Sequence, residues 1–231
     1  MDYNYIKTNI IAVKNNIRAA AERSGRNAAD IALVAVSKTV GAEAASAAAS
    51  CGITDFGENR VQELLLKQKS VEAPVRWHMI GHLQTNKVRD IIGKVKLIHS
   101  LDSVKLAGEI DAQSKNKNVI TDCLIEVNIA REPSKYGVMP ENARDFASSL
   151  SAFGAIRVKG LMCVAPYTEI AENNRKYFTE MRELYIDIQQ NCDNNIDMKY
   201  LSMGMTGDYA VAVEEGANIV RIGTGIFGAR Q

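Results

Sequence analysis

The chain has 231 residues, 46% hydrophobic and 24% charged, with a formal net charge of +1. That length and balance suit one large globular domain with a sizeable core and argue against a disordered or fibrous chain. The near-neutral charge, without a clustered Lys/Arg stripe, leaves no electrostatic footprint for nucleic acid.

Cys51, Cys123, Cys163 and Cys192 lie far apart with no CxxC pair. This spacing disfavours both a zinc site and a disulfide framework and suits a reducing compartment. Met1-Asp2-Tyr3-Asn4-Tyr5 lacks a signal-peptide pattern, and no apolar run reaches membrane-spanning length. A cytoplasmic protein is expected.

Ile6, Ile10, Val13 and Ile17 fall at spacings of four and three. They predict an amphipathic helix over 4–24, which Gly25 stops. The apolar run from Ala32 to Val36 then reads as a strand, and it ends in Ser37-Lys38-Thr39. A lysine at the end of a buried strand loses water, and desolvation disfavours its ammonium form. Such an amine can form a Schiff base with a carbonyl compound; the plainer reading is a strand-end lysine whose head reaches solvent.

Alternation continues along the chain. Helix is predicted over 43–50, strand over 53–57, helix over 58–69 and strand over 75–80. Helix over 84–92 precedes strand over 96–100, and Val104, Ala107 and Ile110 mark the next helix before a strand over 122–129. A charged loop over 130–138 leads to Pro140, which opens a helix containing Phe146, Ala147 and Leu150. Strand over 158–164, helix over 173–192, strand over 200–205, helix over 208–215 and strand over 219–222 complete the pattern.

Eight short strands separated by seven helical segments, with no linker-like break, predict an α/β fold. A single (β/α)8 TIM barrel with an extra N-terminal helix, spanning 1–231 as one domain, is the expectation, and an open doubly wound sheet is the alternative. In a barrel, functional groups gather where strands end and loops to the next helix begin. Lys38 stands at such an end.

The loop after strand seven reads Ser202-Met203-Gly204-Met205-Thr206-Gly207, and the loop after strand eight reads Gly223-Thr224-Gly225. Glycines let backbone N–H groups approach an anion, hydroxyls add donors, and barrels frequently bind phosphate at this pair of loops. Either loop alone is equally well a tight turn, but the pair favours phosphate. Gly223, Gly225 and Gly228 satisfy GxGxxG without the following helix and acidic residue of a dinucleotide site, and no P-loop pattern occurs.

His78 and His82 lie on a strand and its exit, not on a metalloprotease helix, so no metal site is expected. His82 can face a ligand from the strand's end. Glu58, Asn59 and Arg221 are placed to enter a barrel mouth; Glu58 is equally a helix-terminal charge, and Arg221 equally half of an ion pair. An amine and a phosphate cradle at one mouth suit a ligand with both an aldehyde and a phosphate. Pyridoxal 5′-phosphate fits, and a phosphorylated aldose handled by a Schiff-base aldolase fits almost as well.

Several segments together resemble the pyridoxal phosphate homeostasis protein family, in order and across nearly the whole chain. They are Val36-Ser37-Lys38-Thr39, Phe56-Gly57-Glu58-Asn59, Ile80-Gly81-His82-Leu83-Gln84-Thr85-Asn86-Lys87, Gly160-Leu161-Met162, Leu201-Ser202-Met203-Gly204-Met205 and Val220-Arg221-Ile222-Gly223. The resemblance implies a barrel like the N-terminal domain of alanine racemase, holding pyridoxal 5′-phosphate as an internal aldimine on Lys38. It further implies phosphate contacts from Ser202, Gly204, Gly223 and Thr224, with Arg221 beside the pyridine nitrogen. Asn59, His82, Met203 and Thr206 complete the expected cofactor-binding set.

A cationic partner at the ring nitrogen weakens the ring as an electron sink. The racemases add a β-rich domain with a catalytic tyrosine, which this sequence does not carry after strand eight. A non-catalytic carrier that takes part in cofactor homeostasis is therefore expected, with a racemase-like enzyme or an aldolase as the alternative. The expected protein is a monomer that delivers the cofactor to apo pyridoxal phosphate-dependent enzymes. Val40-Gly41, Arg60 and Thr206-Gly207 depart from the family's usual residues, which bears on the roles of Asn59 and Thr206. Lys135, in the charged loop, is a conceivable second amine, and a solvated lysine is the plainer reading.

Overall fold

A computed structural model describes residues 3–191 and 196–228. Its strands are β1 (Ala32–Val36), β2 (Asp55–Glu58), β3 (Arg76–Met79), β4 (Leu97–Leu101), β5 (Thr121–Val127), β6 (Ile156–Cys163), β7 (Ile196–Ser202) and β8 (Ile219–Ile222). Its helices are α1 (Asn4–Arg23), α2 (Ala42–Ser50), α3 (Val61–Ser70), α4 (Val88–Ile91), α5 (Val104–Asn116), α6 (Ala143–Ser149), α7 (Arg175–Asn191), α8 (Tyr209–Glu214) and α9 (Thr224–Phe227). The strands run parallel and close into a barrel in sequence order, with β8 returning to β1 through Ala35 opposite Ile222. Closure rules out the open sheet.

Successive side chains of a strand point alternately into the lumen and out to the helices. Val34, Leu97, Leu124, Met162 and Ile219 form the apolar cluster of the lumen. Ala35, Phe56, Ile98, Ile125, Leu161 and Val220 belong to the larger outer cluster that the helices cover.

The first helix does more than precede the barrel. Its stripe Ile6, Ile10, Val13 and Ile17 is buried, and it packs against α8, α9 and α2. Among the described residues β8 is followed by the four-residue α9, and α1 supplies the long helical cover over the β8–β1 side. Asn9 Nδ2 donates to the Ile226 carbonyl (3.0 Å), tying the two chain ends together.

Element boundaries differ from the sequence expectations in a few places. The strand expected over 200–205 runs instead from Ile196 to Ser202. Its polar first half is accommodated because Lys159 of β6 donates to Asp197 across the pair at 2.5 Å. It stops at Ser202 because Gly204 turns to φ 90°, outside strand conformation. The helix expected from 58 begins at Val61, leaving Glu58 as the last residue of β2. The segment 84–92 divides into a 3-10 turn, Thr85–Lys87, and the short α4. The helix opened by Pro140 likewise begins as a 3-10 turn, Pro140–Asn142. Cys192 lies outside the described residues.

Candidate functional site

Ser37, Lys38, Thr39 and Val40 form a turn at the end of β1, closed by Val40 N–H donating to the Ser37 carbonyl at 2.9 Å. Lys38 is half-buried there. Thr39 takes φ 64°, a costly conformation for a β-branched residue that persists only where its surroundings impose it. One of those constraints is the bond from Thr39 N–H to Glu63 Oε2, 3.1 Å.

Beneath the turn lies a buried ion pair. Lys67 Nζ donates to Glu58 Oε1 (2.6 Å) and to the Ser37 carbonyl (2.5 Å), and Ser37 Oγ donates to the same carboxylate oxygen at 2.6 Å. Glu58 is fully buried and its Oε2 has no hydrogen-bond partner among the described residues. Burial pushes the Glu58 carboxyl up, against the bonds from Lys67 and Ser37. The peptide leading into Lys38 is thus held from below by two elements, β2 and α3. Lys67 was not picked out from sequence, although it sits three residues after Leu64 on the stripe that α3 buries.

The β7 and β8 loops meet on the same end of the barrel. Arg221 N–H donates to the Gly204 carbonyl at 3.0 Å, and Gly225 N–H donates to Thr206 Oγ1 at 3.2 Å. A Cβ at Gly204 would come within 2.6 Å of Ala212 Cβ and 2.9 Å of Tyr209 Cα, so only glycine fits. Met203 is buried, Thr206 half-buried and Thr224 exposed. Gly223 precedes α9; Thr206 Oγ1 takes the Gly225 N–H and the Gly223 carbonyl takes those of Ile226 and Phe227, which leaves, among the described residues, the Thr224 N–H at this helix start for an anion. Gly223 also lies against β1: a Cβ there would be 3.4 Å from the Val36 carbonyl oxygen. Strand closure therefore brings the glycine loop beside the strand that ends in Lys38.

Ser202 reaches this end of the barrel but turns its hydroxyl inward, to Arg221 Nη1 (2.5 Å) and His99 Nδ1 (3.1 Å). Arg221, 4% exposed, also donates through Nη2 to the Cys163 carbonyl at 2.7 Å. Burial pulls the Arg221 guanidinium below its ordinary value, against the nearby Cys163, Glu126 and Asp208. Glu126 enters the lumen from β5, and its Oε2 is buried without a partner among the described residues. Burial and Asp102 raise its carboxyl to about 7, against the pull of Arg221.

At the rim, Asn59 packs beneath Gly81, where a Cβ would approach the Asn59 carbonyl oxygen to 2.5 Å. Asn59, Met79, His82 and Lys87 line a cavity of about 220 Å³. His82 approaches Asp102 (Nδ1 to Oδ2, 3.4 Å) and stacks on Tyr136, with centroids 3.8 Å apart and planes 12° from parallel. Lys135 is not a bare solvated amine: its Nζ donates to Glu132 at 2.7 Å. The expected residues thus all stand at the C-terminal strand ends or the loops that follow. His99, Glu126, Lys67 and Tyr136 join them, although the sequence reading did not pick them out. For His99 and Glu126 the only sequence signal was strand parity, which places both on the lumen side but cannot say what they face.

This set fits a phosphorylated aldehyde: one lysine, a glycine-walled loop pair on the adjoining strand ends and a buried cationic arginine between them.

The family model for the alanine racemase N-terminal domain matches residues 8–231. A pyridoxal phosphate homeostasis protein of Aquifex aeolicus is 44% identical over 220 residues, 95% of this chain and 96% of its own. Among solved structures, an unknown protein from Bifidobacterium adolescentis superposes with a TM-score of 0.91 at 31% identity, over 98% of this chain and 97% of the other. PipY of Synechococcus elongatus with pyridoxal phosphate bound gives 0.80 at 32% identity, over 92% of this chain and 99% of the other.

Proposed function

Because the chain belongs to the alanine racemase N-terminal-domain family and, within it, to the pyridoxal phosphate homeostasis proteins, we propose that it binds and holds pyridoxal 5′-phosphate. Lys38 supplies the amine that condenses with the cofactor's aldehyde, releasing water, so that the cofactor is stored as a Schiff base. Gly204, Thr206, Gly223 and Thr224 receive the phosphate through backbone and hydroxyl donors. Arg221 stands toward the ring, with Asn59, His82 and Met203 around it. The observation that carries this reading is the closure of β8 on β1, which sets the Gly223 loop against the strand that presents Lys38.

A cation beside the ring nitrogen disfavours carbanion chemistry, so the residues present suit holding the cofactor more than catalysing with it. The protein then acts as a single-domain monomeric carrier in the cytoplasm, limiting the free aldehyde and passing the cofactor to apo enzymes that need it. Among the described residues no helix is long and apolar enough to cross a membrane.

Purified protein mixed with pyridoxal phosphate should develop a visible Schiff-base absorbance that Lys38→Ala abolishes. Borohydride reduction followed by peptide mapping should place the label on Lys38 and leave Lys135 unmodified. A wild type that stays colourless overturns the reading. Racemisation of an amino acid well above the free-cofactor rate, lost in Lys38→Ala, would make the protein an enzyme instead of a carrier.

A further inference from the structure

Five buried polar side chains link end to end across the lumen, contributed by β2, β3, β4, β7 and β8. Asp55 Oδ1 is 3.0 Å from His78 Nε2, His78 Nδ1 is 2.9 Å from His99 Nε2, and His99 Nδ1 is 3.1 Å from Ser202 Oγ. The last step, 2.5 Å, joins Ser202 Oγ to Arg221 Nη1. None of the five is more than 7% exposed. His99 and Ser202 come from strands three apart in the barrel order, so the chain crosses the lumen instead of following the wall.

Counting protons gives this chain a direction. A guanidinium donates and never accepts, so Ser202 Oγ accepts from Arg221. The serine's own proton then has one partner among the described residues, His99 Nδ1, which must be unprotonated. His99 therefore carries its proton on Nε2 and gives it to His78 Nδ1. By the same count His78 is neutral, with its proton on Nε2 and directed at the Asp55 carboxylate. Every hydrogen points toward the anion, and every lone pair points toward the cation.

The opposite sense would aim an N–H at an oxygen already facing the guanidinium. Burial, and after it the nearby Arg221 guanidinium, hold His99 well below the ordinary histidine range. At the far end, Arg76 donates to both Asp55 oxygens, at 2.8 and 2.5 Å.

We infer that Asp55, His78 and His99 are positioning residues for Arg221, acting through Ser202 in a one-way hydrogen-bond chain across the barrel. The inference rests on the cofactor reading only in taking Arg221 as the ring-facing group. The chain fixes one amino group of Arg221 from the β4 side while the Cys163 carbonyl fixes the other. It also uses the only proton of the Ser202 hydroxyl. Ser202 therefore serves the arginine, not the phosphate contact that the family resemblance implied for it.

The test begins without cofactor. Protein labelled with ¹⁵N at its three histidines, examined by NMR near neutral pH, should show His78 and His99 both neutral with the proton on Nε2; His82→Gln assigns the third ring. Ser202→Ala should release His99 from that single tautomer, and Asp55→Asn should release His78.

With cofactor, His99→Leu should weaken pyridoxal phosphate binding about tenfold, the scale of one lost buried hydrogen bond. The Schiff-base absorbance at saturation should survive, because Lys38 is untouched. A proton on Nδ1 of either ring, or a doubly protonated ring, overturns the chain whether or not the cofactor binds. Unchanged cofactor affinity in a folded His99→Leu protein, with wild type binding normally, overturns the positioning role alone. If His99→Leu does not fold, Ser202→Ala carries the same affinity comparison.

Discussion

Glu126 is a carboxylic acid with one oxygen shut away from solvent and, among the described residues, from any hydrogen-bond partner, beside an arginine that the lumen also desolvates. Its ordinary value of 4.5 rises to about 7, so between those limits the folded protein binds a proton that the unfolded chain has lost. The resulting stabilisation is fully present below the lower limit and disappears as pH rises through the upper one. Glu126→Gln cannot ionise and escapes that loss. In urea unfolding of cofactor-free protein, the variant should gain on wild type by about 1–3 kcal/mol between about pH 5 and about pH 8. A stability difference that stays constant over that interval would show that Glu126 titrates as an ordinary carboxylate.

At the scale of elements, the proposed phosphate end depends on two loops being held in register. Gly204 makes the β7 loop by adopting φ 90° where a side chain would collide with α8. Thr206 then receives the Gly225 N–H from the β8 loop. The bond needs a hydroxyl oxygen at this position, and threonine supplies it. Thr206→Val removes the acceptor at nearly constant volume. Affinity for pyridoxal phosphate should fall about fivefold, the equivalent of about 1 kcal/mol, while affinity for pyridoxal, which lacks the phosphate, should not change. Equal losses for both ligands would remove the loops from phosphate recognition.

For the whole molecule, α1 is a structural part of the barrel. Ile10 is 2% exposed and lies on the stripe that packs toward α8, α9 and α2. Ile10→Ala should therefore cost about 2–5 kcal/mol in urea unfolding, as in a core site. A cost below about 0.5 kcal/mol would make α1 a peripheral addition. The same barrel closure that needs α1 also creates the site, because it is what places the first strand end beside the last.

Local pattern carried much of this protein. Alternation of apolar runs and amphipathic stripes predicted the eight-stranded barrel, since strands buried on both faces read as short apolar runs between helical periodicities. Lys38, Arg221 and the two glycine loops were legible because strand-end position and turn chemistry are properties of neighbouring residues. The start of β7, by contrast, depended on Lys159 reaching Asp197 from another strand.

Only the tertiary structure decided what the buried polar groups do. Lys67 under the Lys38 turn, Glu126 beside Arg221, and the run from Asp55 through His78, His99 and Ser202 to Arg221 are made by residues up to 103 positions apart in direct contact. Strand parity sends such side chains into the lumen, but only closure of the barrel determines which of them meet and therefore which way each proton points.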